Sequence, residues 1–92
     1  MAKNRKTHIE EYVIGKVKEI RIAKGFSQED IASILDTSRG FIGQVESPNH
    51  AAKYNLNHLN LLADELGVSP QIFLPIHPYK ISSNKKSRKI DT

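Results

Sequence analysis

The sequence predicts an all-α domain, five short helices forming one compact unit over residues 8–76, with flexible basic termini at 1–7 and 77–92. Three observations predict it. Helix-start residues recur ahead of apolar stripes of helical period. Glycine, proline or aspartate stands where those stripes stop. The twenty residues QEDIASILDTSRGFIGQVES, 28–47, hold two amphipathic helix patterns on either side of the turn Asp36-Thr37-Ser38. A chain of 92 residues buries only about 60–65% of its unfolded surface, enough for one helical core of modest stability.

Thr7-His8-Ile9-Glu10 has the form of a capping box and opens the first helix, with Ile9, Val13, Val17 and Ile20 on one stripe. Gly25 ends that helix, since a residue without Cβ accepts the left-handed conformation. Ser27 caps the second helix, and Glu29 and Asp30 in its first turn favour the helix dipole. Ile31 and Leu35 before the turn, and Ile42 and Val45 after it, point inward, while Ala32 lets two helices cross closely. Ser38 caps the third helix, in which Gly40 and Gly43 each cost ~1 kcal/mol relative to alanine. That cost calls for close approach of DNA or of another helix. Pro48 stops the helix and leaves a loop over 47–55. A fourth helix is expected over about 57–66, with Leu59, Leu62, Ala63 and Leu66 inward and Gly67 at its end. Ser69-Pro70 starts a short fifth helix at 70–74, which Pro75 and Pro78 stop.

The inward set leaves Gln28, Ser38, Arg39, Gly40, Gly43 and Gln44 outward. Arginine pairs bidentately with guanine, glutamine with adenine, and both also hold phosphates. Serine and glycine are too small to obstruct a groove. The pattern is that of a helix-turn-helix whose second helix, 39–46, enters the major groove of double-stranded DNA. Gln28, at the first position of its helix, is a candidate for a DNA phosphate. In the following loop, Asn49, Lys53, Tyr54 and Asn55 are candidates for sugar–phosphate contact, which positions a protein without reading sequence. Phe41 can serve the core, a thymine methyl or the loop; partial burial is the preferred expectation.

The 28–47 segment resembles the helix-turn-helix of the lambda repressor and Cro proteins, also called the xenobiotic-response-element family. Two more blocks carry the resemblance: Val17-Lys18-Glu19-Ile20-Arg21 with Gly25-Phe26-Ser27-Gln28, and Leu59-Asn60-Leu61-Leu62-Ala63-Asp64-Glu65-Leu66-Gly67-Val68-Ser69. It implies a lambda-repressor-like fold. It also implies that Arg21 pairs with Glu46 to fasten the first helix to the third, and that Gln28 braces a recognition-helix side chain, here Gln44. Where the family usually has glycine the turn has Asp36, which visits the left-handed region at small cost. The family's two-fold contact lies at the fifth helix. Phe73 is expected to complete the core, leaving Ile72, Leu74 and Ile76 as dimer-contact candidates.

Charge is unevenly spread. The net charge is +4, but residues 8–79 carry six Lys or Arg against nine Asp or Glu, a balance of −3. Attraction to DNA must come from local placement and the tails, Lys3, Arg5 and Lys6 at one end and Lys80 with Lys85–Lys89 at the other. The first of these is expected to lie along DNA and to order only on binding. No catalytic or metal site is expected and no cofactor is called for. Cysteine is absent, and His8, His50, His58 and His77 include no i, i+4 pair. The adjacent acids Glu10-Glu11, Glu29-Asp30 and Asp64-Glu65 do not face one another on a helix. An enzyme is therefore not expected. No apolar run approaches the ~20 residues of a membrane span, and the basic start lacks the apolar stretch of a secretory signal. The expected location is cytoplasmic, on the nucleoid when DNA is bound.

The function expected from these features is a sequence-specific DNA-binding transcriptional regulator, a repressor acting as a homodimer on a paired site. One alternative is an antitoxin that uses the same fold to bind its operator and a toxin protein. Another is a protein-interaction module without DNA binding, for which the acidic body is the main support. Steeply salt-dependent DNA binding separates the last from the others, and co-purification of a toxin separates the second.

Overall fold

The computed structural model describes residues 6–80. Within them the chain forms α1 (His8–Ala23), α2 (Gln28–Leu35), α3 (Arg39–Glu46), α4 (Leu56–Leu66) and a single 3-10 turn, Pro70–Phe73. The expected fifth α-helix is thus a 3-10 turn. Four residues between Ser69 and the extended Leu74 allow one tight turn and no i→i+4 ladder.

Each start signal acts locally. Thr7 Oγ1 accepts from the Glu10 amide while Glu10 Oε1 accepts from the Thr7 amide at 2.9 Å. Ser27 and Asp30 form the same reciprocal box at 2.7 and 3.0 Å. At α4 the box is Asn55 with His58, whose Nδ1 accepts from the Asn55 amide at 3.1 Å. Three of the four α-helix ends are equally regular. Phe26 N donates to Arg21 O at 2.7 Å around Gly25, and Thr37 N to Ala32 O at 2.9 Å around Asp36. Val68 N donates to Ala63 O at 3.0 Å around Gly67. The pivot residues have φ of +82°, +58° and +73°, so Asp36 takes the left-handed role that glycine fills elsewhere.

The core joins Val13, Ile14 and Val17 of α1, Ile31, Ala32 and Leu35 of α2, and Ile42 and Val45 of α3. Leu59, Leu62, Ala63 and Leu66 of α4, with Tyr54 and Phe73, complete it. α2 packs against α3 and α4, while α1 and α4 close over the 3-10 turn. Two positions of the expected α1 stripe shift. Ile9 is 42% exposed, because the first turn runs beyond the core, and Ile14 is buried in its stead. Ile20 is only half-buried, because Arg21 beside it takes the inward place.

Candidate nucleic-acid interface

The inward residues of α2 and α3 fix which face α3 presents. With Ile42 and Val45 fully buried, Ser38, Arg39, Gly40 and Gln44 are exposed and Gly43 is half-buried. Ser38 Oγ accepts from the Phe41 amide at 3.0 Å, fixing the start of the helix. Phe41 is half-buried and meets the His58 ring edge-on at 6.1 Å, so it bridges to α4.

The two α3 glycines are not required by packing among the described residues. A Cβ at Gly43 would meet nothing within 4 Å, and one at Gly40 only Ser38 Oγ at 3.8 Å. Helix propensity then predicts that Gly43→Ala raises stability by about 1 kcal/mol, read from the denaturant midpoint. An unchanged or lowered midpoint would mean that the glycine serves the isolated fold after all.

Behind this face lies a polar cluster. Arg21 donates from Nε to Glu46 Oε2 at 2.8 Å and from Nη2 to Oε1 at 2.9 Å. Its third bond, Nη1 to Phe26 O at 3.0 Å, reaches the loop before α2. Gln28 Nε2 donates to Glu46 Oε1 at 3.0 Å. Gln28 therefore braces Glu46 and not Gln44, because Glu46 lies inward with its side chain 5% exposed while Gln44 points out. Burial pushes the Glu46 carboxyl up, but hydrogen bonds from Arg21 and Gln28 and the Arg21 charge outweigh it and hold it below the ordinary range.

The loop after α3 departs from expectation. Asn49 is exposed, with its amide on Ser47 Oγ at 3.2 Å. Lys53 turns away to α1 and pairs with Glu10 Oε2 at 2.7 Å. Tyr54, expected at the sugar–phosphate backbone, is core: the loop folds back over α1 and leaves it 8% exposed, its ring edge-on to His58. Its sequence signal is the hydrophobic staple, in which the residue before the Asn55 cap pairs with the fourth helical residue, Leu59. The Tyr54 hydroxyl meets no hydrogen-bond partner among the described residues. Burial, with Glu46 nearby, pushes its ionisation up. A desolvated, unpartnered hydroxyl costs about 1–3 kcal/mol. Tyr54→Phe should accordingly hold or raise the melting temperature; a clear drop would reveal a partner for the hydroxyl.

Lys6 also differs from its expected place in a flexible arm. It is 8% exposed and its ammonium lies on the backbone carbonyls of Gln44, Ser47 and His50. Nothing in the sequence signals this, because the partners are main-chain atoms some forty residues away. Residues 1–5 of the expected arm and 81–92 of the expected tail lie outside the described residues. Among the described residues no group of three or more His, Asp or Glu could hold a metal, and no helix is long and apolar enough to cross a membrane.

Two short helices about the Asp36 turn, with the second tied to α1 through Arg21 and Glu46, define a lambda-repressor/Cro-like helix-turn-helix fold. The restriction-modification controller protein C.AhdI from Aeromonas hydrophila shares it, at 29% identity and TM-score 0.57, over 67% of this chain and 87% of that one. A hypothetical transcription factor, NHTF, from Neisseria matches at 24% identity and TM-score 0.60, over 82% of this chain and 85% of that one. No protein-family model and no curated protein matches the chain.

Proposed function

We propose that this protein is a DNA-binding transcriptional regulator, a repressor that reads the major groove with α3. The observation that carries the reading is the α3 face itself. Arg39 and Gln44 stand exposed beside Gly43, with open space before it, and Gly40, which faces only Ser38 Oγ at 3.8 Å. Arginine and glutamine supply paired donors and acceptors for base edges, and glycine lets the helix backbone come close. Ser38 and Asn49 flank this face at its two ends and are exposed, suited to phosphates. Gln28 spends one Nε2 proton on Glu46, which leaves the second one and the α2 N-terminus for positioning a phosphate. The regulatory role draws support from C.AhdI, a restriction-modification controller protein.

A homodimer is part of the proposal. Two readers on one DNA face stand one helical turn apart, roughly 34 Å, and pairing raises affinity through effective concentration. Phe73 is fully buried, whereas Ile72, Leu74 and Ile76 are 43%, 46% and 91% exposed. Leu74 also borders an apolar groove with Ile9, Val13, Leu56 and Leu59. Analytical ultracentrifugation over a wide concentration range, with and without inverted-repeat DNA, tests it. The expected result is a dimer on the repeat with steep loss of binding as salt rises. A monomer that binds isolated half-sites as well as paired ones would contradict the dimer, and salt-insensitive or absent binding would favour a protein-interaction module.

A further inference from the structure

α1, α2 and α4 each close on a backbone bond around a left-handed residue, but α3 has no such closure. Ser47 is extended, with φ −86° and ψ 133°, as a residue before proline must be. The Gln44 carbonyl accepts from the Ser47 amide at 3.2 Å and the Ser47 carbonyl from the His50 amide at 3.4 Å. Lys6 adds a charged donor to both. Its Nζ donates to Ser47 O at 2.6 Å, to Gln44 O at 3.5 Å and to His50 O. A lysine ammonium has three protons; Ser47 O and His50 O lie closest to it, with Gln44 O further off. A cation here also complements the negative end of the α3 dipole.

Lys6 directly precedes Thr7, the N-cap of α1. The C-terminal end of the reading helix is therefore held from the two ends of α1, by Arg21 on Glu46 and by Lys6 on Gln44, Ser47 and the loop that carries Asn49. We propose that Lys6 is a positioning residue for DNA reading, one that sets α3 and the 47–50 loop by holding their carbonyls and does not itself touch DNA. This rests on the proposed DNA-reading function. A lysine that is 8% exposed and turned onto main-chain carbonyls is not placed to meet a phosphate.

The test uses the full chain as wild type, Lys6→Met and Lys6→Arg, with a duplex carrying the sequence that wild type selects and a scrambled duplex. Lys6→Met is expected to weaken binding to the selected duplex about tenfold or more, with scrambled-duplex binding and both salt slopes unchanged. Lys6→Arg, which keeps the donors, should recover part of the loss. Without DNA, amide exchange in Lys6→Met should quicken at Ser47, Asn49 and His50. Equal weakening on both duplexes, with the salt slope falling by about one, would make Lys6 a phosphate contact and overturn the proposal. So would unchanged discrimination alongside a lowered melting temperature. If wild type binds neither duplex, the DNA-reading function itself fails, and the exchange result still reports whether Lys6 caps α3.

Discussion

Arg21→Ala is expected to destabilise the protein by about 3–5 kcal/mol, because it strands a buried carboxylate. Against a total stability of roughly 5–15 kcal/mol for a domain, that brings the fold close to its limit. The pair is sequestered, with the Arg21 and Glu46 side chains 11% and 5% exposed. After the change Glu46 keeps a single bond, from Gln28, and Phe26 O loses its arginine donor. Replacing both partners by apolar residues, Arg21→Met with Glu46→Leu, should cost much less, since neither charge is then left alone. Denaturant midpoints of the singles and the double check this, and a double as damaging as the sum of the singles would contradict it. The same pair predicts acid behaviour. Glu46 titrates below its ordinary value of 4.5, so its contribution is complete above that pH and is lost as pH falls through the depressed folded value. Glu46→Gln should start less stable and lose less on acidification.

Arg39→Ala and Gln44→Ala are expected to act on DNA and not on the fold. Both side chains are exposed and make no hydrogen bond among the described residues; the contact to Gln44 is to its backbone carbonyl. Each change should cost about 1–3 kcal/mol at one base position, or roughly 5- to 150-fold in affinity, with the melting temperature unmoved. Asn49→Ala should weaken binding to all sequences alike, as a phosphate contact does. Binding titrations with single-base variants of the selected duplex read the difference. A melting temperature that falls in step with affinity would move both residues from reading to structure.

The parts of this design that rest on local chemistry were legible in the sequence. Caps at Thr7, Ser27, Ser38 and Ser69 and the inward Ile31, Leu35, Ile42 and Val45 all follow from spacing and residue type, and the left-handed Asp36 from resemblance together with residue type. The Arg21–Glu46 pair, twenty-five residues apart, was legible only through resemblance. What escaped was decided by the path of the 47–55 loop. That path buries Tyr54, brings Lys53 to Glu10 and sets carbonyls in front of Lys6. Main-chain acceptors have no residue signature, so a lysine bound to them reads in sequence as one more solvated charge. Ile9 and Ile20 show the limit of periodicity: a helical stripe gives a face, and its register depends on where the neighbouring helices end.

That α3 reads DNA is tested most directly by selecting bound duplexes from a random library with wild type, Arg39→Ala and Gln44→Ala in parallel. Wild type should enrich a defined motif, and each variant should lose preference at one position within it while the remaining positions persist. Identical motifs from all three proteins, or no enrichment by wild type, would contradict it.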